Sequence, residues 1–212
     1  MQVVLLVATG LAALTNWWSR LRGADRVELW AKPLTTMLVI GLAIANSSPT
    51  GQVATAVIAL VLCLEGDIAL MSAVDNFVLG LASFLLGHLV FIYLFVQYEM
   101  PELWLGAIAL ALVLALAATV GRRVVAAAAA EQPKLRLPVI AYLVVISAMA
   151  VCGWATGRGW VIAGTTLFVI SDSLLGWRQF VRTPTRFSDT TTSVAVMVTY
   201  HGAIISLALS LW

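Results

Sequence analysis

Charge is scarce in this sequence. Asp, Glu, Lys and Arg together make up 10% of its 212 residues, where soluble domains carry roughly a quarter. No polar stretch is long enough to build a soluble domain. Cysteine is nearly absent as well. Cys63 and Cys152 both fall within apolar runs, so a disulfide framework is not expected and buried thiols are. There is no CxxC, HExxH or Cys/His cluster, which leaves a structural metal without support. A GxxxxGK[ST] loop and a GxGxxG turn are missing too, which removes the usual nucleotide sites. Nothing marks a nucleic-acid partner. What remains is apolar: 62% of the residues are hydrophobic, and the mean hydropathy is +1.01. The chain reads as a polytopic membrane protein, all-α, with residues 1–212 forming one transmembrane domain.

A helical span needs about 20 mostly apolar residues. Eight such stretches are present, at roughly 2–18, 30–46, 52–72, 76–97, 102–121, 136–154, 160–178 and 192–212. The first lacks the basic start and small-residue cleavage site of a signal peptide, and it ends at Trp17 and Trp18, an interfacial signal.

The basic residues set an orientation. Arg20, Arg22, Arg26 and Lys32 lie between spans 1 and 2; Arg122, Arg123, Lys134 and Arg136 between spans 5 and 6; Arg178, Arg182 and Arg186 at or after the end of span 7. Only Arg158 falls on the other side. The positive-inside rule then makes these loops cytoplasmic and both termini non-cytoplasmic, as expected for a protein of the cell (inner) membrane. Spans 3 and 7 both run inward, which puts Asp67 and Asp172 at matching depths in the cytoplasmic half, with Lys32 approaching from the same side.

A charge at such depth costs several kcal/mol unless it is paired, hydrated or neutralised. Asp67 and Asp172 are therefore the candidate catalytic residues. They recur in similar settings. Pro33 precedes Asp67, and Pro138 precedes Asp172, by the same interval of 34 residues. The match suggests two parallel four-span halves, a 4+4 pseudo-repeat about an axis along the membrane normal.

Supporting candidates surround them. Glu65 is two residues from Asp67, which turns it about 200° around a helix, so the two carboxylates do not face one cavity alike. Ser171 and Ser173 flank Asp172 and suit either a bond to the carboxylate or helix packing. His88, Tyr93, Tyr142 and Tyr200 are polar or amphipathic side chains within spans, suited to interhelical hydrogen bonds or a substrate contact; His201 is a weaker candidate. No GxSxG elbow supports a serine nucleophile.

The order of these residues resembles the lysoplasmalogenase-like (YhhN) family of integral membrane proteins. The similarity rests on Lys32-Pro33, on Gly66-Asp67 with Leu70, and on Gly80-x3-Phe84-x2-Gly87-His88-x4-Tyr93. It continues in Pro138 with Tyr142, in Leu167-Phe168-x2-Ser171-Asp172-x-Leu174-Leu175 with Phe180, and in Tyr200 with Ala203. These pieces run from about residue 30 to 205. The chain departs from the family pattern in its last motif, where Ile204 replaces a usual glutamine and His201 stands where a second tyrosine is common. The resemblance implies hydrolysis of the vinyl ether bond of lysoplasmalogens to a fatty aldehyde and glycerophosphoethanolamine or glycerophosphocholine. It implies no metal and no cofactor; the partners would be the lysophospholipid substrate and the bilayer.

Paired carboxylates suit that chemistry. Two like charges brought close do not both ionise readily, so the pair shares a proton and offers a general acid and a general base near neutral pH. Lys32 would attract the head-group phosphate. The rival from another class is a proton-coupled transporter using the same intramembrane carboxylates. An intramembrane aspartyl protease fits less well, because Leu64 and Glu65 precede Gly66-Asp67 where a GxGD motif would need another glycine.

Overall fold

A computed structural model describes residues 2–45, 49–181 and 186–212, and the side chains of these apart from 186–188. Arg182 lies outside the described residues, as does the side chain of Arg186. The described residues are helical, with no strand among them. In order they form α1 (Gln2–Arg22), α2 (Asp25–Ile44), α3 (Thr50–Ala69), α4 (Phe77–Gln97), α5 (Leu103–Leu116), α6 (Arg122–Glu131), α7 (Arg136–Ala155), α8 (Gly159–Gly176) and α9 (Arg186–Leu209). A π-helical turn, Ala117–Gly121, joins α5 to α6 without a break, and a second, Trp177–Val181, extends α8. Eight helical stretches are long and apolar enough to cross a membrane, counting Leu103–Glu131 as one.

Two boundaries differ from the sequence expectation. The fifth span was expected to stop near residue 121, where Arg122 and Arg123 break the hydropathy. The helix instead runs on to Glu131, because the run of alanines that follows has the highest helix propensity available. Pro33 was expected to open span 2. It lies inside α2, which starts at Asp25, where Asp25 and Glu28 suit the positive end of the helix dipole. Pro138 does sit in the first turn of α7, where its missing N–H costs no hydrogen bond.

The turns have local causes. Gly23 adopts φ +64° between α1 and α2, the left-handed cap that glycine accepts without a Cβ penalty. The Asn76 side chain accepts a 3.0 Å bond from the Leu79 N–H and so caps α4.

The packing follows the two-halves pattern. α1 packs on α2 as α5 packs on α7; α3 packs on α4 as α8 packs on α9. The halves meet through two equivalent pairs, α4 with α7 and α9 with α2. The α1–α9 packing has no counterpart of comparable extent between α4 and α5. Phe91, Phe95, Phe168, Leu60, Met149 and Ile204 fill the centre. Large apolar side chains such as Leu11, Leu103, Leu137 and Val144 cover the outside, a surface suited to lipid and not to water. Arg158, in the turn between α7 and α8, lies 4.2 Å over the Tyr98 ring and donates to the Ser210 carbonyl at 3.1 Å.

Candidate functional site

Asp67 is in the last turn of α3, fully buried. Three side chains meet it. Thr36 Oγ1 on α2 donates to its Oδ2 at 2.6 Å, and the Tyr200 phenol on α9 donates to the same oxygen at 2.7 Å. Lys32 Nζ lies 3.3 Å from Oδ1 and donates to the Asp67 backbone carbonyl at 3.1 Å. Lys32 and Thr36 are four apart on α2, hence on one face. The ion pair is buried, so each charge depends on the other for compensation.

Asp172 sits on α8 with its side chain 13% exposed. The Tyr142 phenol on α7 donates to Oδ2. His88 Nε2 on α4 lies 3.0 Å from the Tyr142 oxygen and 3.4 Å from Asp172 Oδ2. Because the phenol proton is already directed at the carboxylate, the imidazole meets both oxygens as a donor, so a neutral His88 carries its proton on Nε2. No hydrogen bond joins the two carboxylates among the described residues; each has its own donors.

Both carboxylates line one polar cavity of about 260 Å³, with Lys32, Ser171 and Tyr200 in its inner wall and Arg20, Glu28, Asp75 and Arg178 nearer its rim. That volume admits several waters beside a ligand. Around the rim, Arg20 pairs with Glu28 and donates to Ser193 Oγ at 2.7 Å, while Arg178 grips Asp189 through two bonds of 2.5 and 3.1 Å. Beside the polar cavity is an apolar chamber lined by side chains of α4, α5, α7 and α8. The two spaces share Leu70, Phe84, Asp172 and Leu175. Phe84 stands at that junction because Gly66 lets it: a Cβ on Gly66 would fall 2.6 Å from the ring. Its ring then meets Tyr200 edge-on at 5.7 Å and Phe168 at 6.5 Å.

The structure thus gathers Asp67, Asp172, Lys32, His88, Tyr142, Ser171 and Tyr200. Ser171 lines the cavity, but its hydroxyl donates to the Val196 carbonyl at 3.2 Å, tying α8 to α9; Ser173 bonds back to Val169 within its own helix. Glu65 and Tyr93 are not brought in. Glu65 is exposed on the far face of α3, as its 200° offset from Asp67 requires. Tyr93 is 61% exposed, because five residues from His88 turn a helix by about 140°. His201 is buried away from the cavity, where its Nδ1 accepts from Trp17 Nε1 at 3.0 Å. Ile204, at the place of the family glutamine, is fully buried in the apolar core. Thr36 and Arg20 were not singled out from the sequence. Thr36 was findable, one helical turn beyond Lys32. Among the described residues no group of three or more His, Cys, Asp or Glu side chains is placed to hold a metal ion.

Comparison with known proteins agrees with the arrangement of these motifs. The model of the YhhN family matches residues 27–211, and the chain belongs to that family. No curated protein and no solved structure matches it significantly.

Proposed function

We propose that this YhhN family member is a membrane-embedded hydrolase that cleaves the vinyl ether bond of lysoplasmalogens. The products are a fatty aldehyde and glycerophosphoethanolamine or glycerophosphocholine. One observation carries the reading: Asp172 stands where a polar cavity meets an apolar chamber, the place where the head–tail junction of a single-chain ether lipid would lie. The basic rim is the cytoplasmic end in this reading, and Arg20, Lys32 and Arg178 draw the head-group phosphate towards the cavity.

Asp172 is the general acid. It is the more exposed carboxylate, and because Tyr142 and His88 both donate to Oδ2, its proton sits on Oδ1 in this reading. Protonated, it gives its proton to the vinyl carbon beta to the ether oxygen. The alkene electron pair forms the new C–H bond, and an oxocarbenium ion results. The Asp172 carboxylate left behind faces that cation. Asp67, held with Lys32, adds a fixed negative oxygen to the same cavity, where preorganised charge acts at low dielectric. Water then attacks the cationic carbon and returns a proton to Asp172. The hemiacetal collapses: Asp172 gives that proton to the departing glyceryl oxygen as its bond to carbon breaks, and takes up the hydroxyl proton as the aldehyde C=O forms.

The test is aldehyde release by purified protein in detergent, with lysoplasmalogen as substrate and the ester-linked lysophospholipid as control. Aldehyde from the vinyl ether lipid alone, lost in folded Asp67→Asn and Asp172→Asn variants, is the expected result. Near-normal turnover in either variant would overturn these roles, and a folded wild type that releases none would overturn the reaction.

A further inference from the structure

The apolar chamber beside Asp172 does not end inside the protein. On the side away from the polar cavity it borders an open groove between α5–α6 and α7, and the two spaces share Val113, Ala117, Gly121, Leu143 and Ser147. The groove opens on the outer surface of the bundle, among exposed apolar side chains such as Leu110, Leu114 and Val144. Three spaces therefore follow one another: a groove facing lipid, an apolar chamber, and the polar cavity holding both carboxylates.

The seam between groove and chamber falls on the π-helical turn Ala117–Gly121. Such turns interrupt the regular i→i−4 ladder and recur where function needs an irregular helix. Two of the seam residues, Ala117 and Gly121, are its first and last members, and both carry little side-chain bulk. Ser147 faces them from α7.

We infer that this seam is a lateral portal through which the hydrocarbon tail of a single-chain bilayer amphiphile slides from the membrane into the site, without the molecule leaving the lipid phase. The occupant follows from what the path joins. Its outer end meets lipid, its walls are mostly apolar although Arg122 and Arg136 also line the groove, and its inner end meets Lys32, Arg20 and Arg178 across the shared wall of Phe84 and Asp172. Only a molecule apolar along most of its length and polar at one end satisfies every segment. A double-chain lipid would have to fit a second tail past the same seam, so the portal also selects for lysolipids. The inference rests on the hydrolase reading for the bond that is broken, and not for the path.

The experiment uses the full chain in lipid nanodiscs with a lysophosphatidylcholine carrying a diazirine in mid-tail. After irradiation the labelled residues are mapped by mass spectrometry. Labelling on α5 and α7 at or next to Ala117, Leu143 and Ser147 is expected. It should fall about tenfold in Ser147→Phe and in Ala117→Phe, each at a half-buried position with room at the groove. In parallel, aldehyde release from a long-chain vinyl ether lysolipid should drop by a similar factor in either variant. A short, water-soluble vinyl ether analogue should be hydrolysed as by wild type. Wild type that labels elsewhere, or two folded variants that label and turn over the long-chain lipid normally, would overturn the portal. Wild type that labels at the seam but releases no aldehyde supports the portal and removes the hydrolase reading.

Discussion

Tyr200 on α9 donates a 2.7 Å hydrogen bond to Asp67 on α3, 133 positions away in the chain. The bond spans the two halves of the bundle and is one of two hydroxyl contacts on the same carboxylate oxygen, with Thr36 supplying the other. A buried bond to a charged acceptor contributes about 1.5–3 kcal/mol. Tyr200→Phe removes the donor and keeps the ring against Phe84. We expect the unfolding midpoint in detergent to fall and aldehyde release to slow by about tenfold. An unchanged rate would show that Thr36 and Lys32 alone suffice to hold Asp67.

Lys32 and Asp67 compensate each other in surroundings where neither meets solvent. Removing one partner of a buried pair costs about 3–5 kcal/mol, whereas replacing both is far cheaper. Lys32→Met should therefore destabilise strongly, and Lys32→Met with Asp67→Asn should recover most of the loss. A double-mutant cycle of thermal midpoints measures the coupling. Additive losses would mean that the two side chains do not depend on each other.

Gly66 is required by the ring that packs on it. A methyl group there would meet Phe84 at 2.6 Å, and overpacking of this kind costs about 1–3 kcal/mol. Gly66→Ala should lower stability, and adding Phe84→Leu should restore it by vacating the space. If Gly66→Ala alone is as stable as wild type, the ring has freedom to retreat that its close neighbours Tyr200 and Phe168 argue against.

Glu65 and Tyr93 give the contrasting expectation. Both are exposed, and substitutions at such positions usually change stability by no more than about 0.5 kcal/mol. Glu65→Gln and Tyr93→Phe should leave aldehyde release near the wild-type rate. A large loss in either would place that residue in substrate handling outside the cavity.

Much of this architecture was legible in composition and spacing. Eight apolar runs give the eight candidate spans, and two isolated aspartates at matched intervals point to the cavity that both of them line, because intramembrane charge is costly. Rotation about the helix axis was legible for Glu65 and Asp67, whose separation fixes their angle, and the same arithmetic from His88 would have set Tyr93 aside. What spacing alone does not contain is which helix faces which. That Tyr200 serves Asp67 while His88 serves Asp172 depends on α9 meeting α2 and α4 meeting α7, contacts between stretches far apart in sequence. The continuation of α6 beyond Arg122 was hidden for another reason: hydropathy registers the arginines, whereas helix formation responds to the alanines that follow.

The crossing of donors between the halves has a consequence for how such a protein is put together. Asp67 belongs to the first four spans and takes a bond from the eighth; Asp172 belongs to the last four and is met by His88 from the fourth. A four-span chain carrying either half alone would leave its acid short of a partner. Only the other half laid alongside in the same orientation would complete it. The cavity with its two carboxylates is thus a product of the pairing itself, and joining the halves in one polypeptide makes permanent an association that separate halves would have to find by diffusion in the plane of the bilayer.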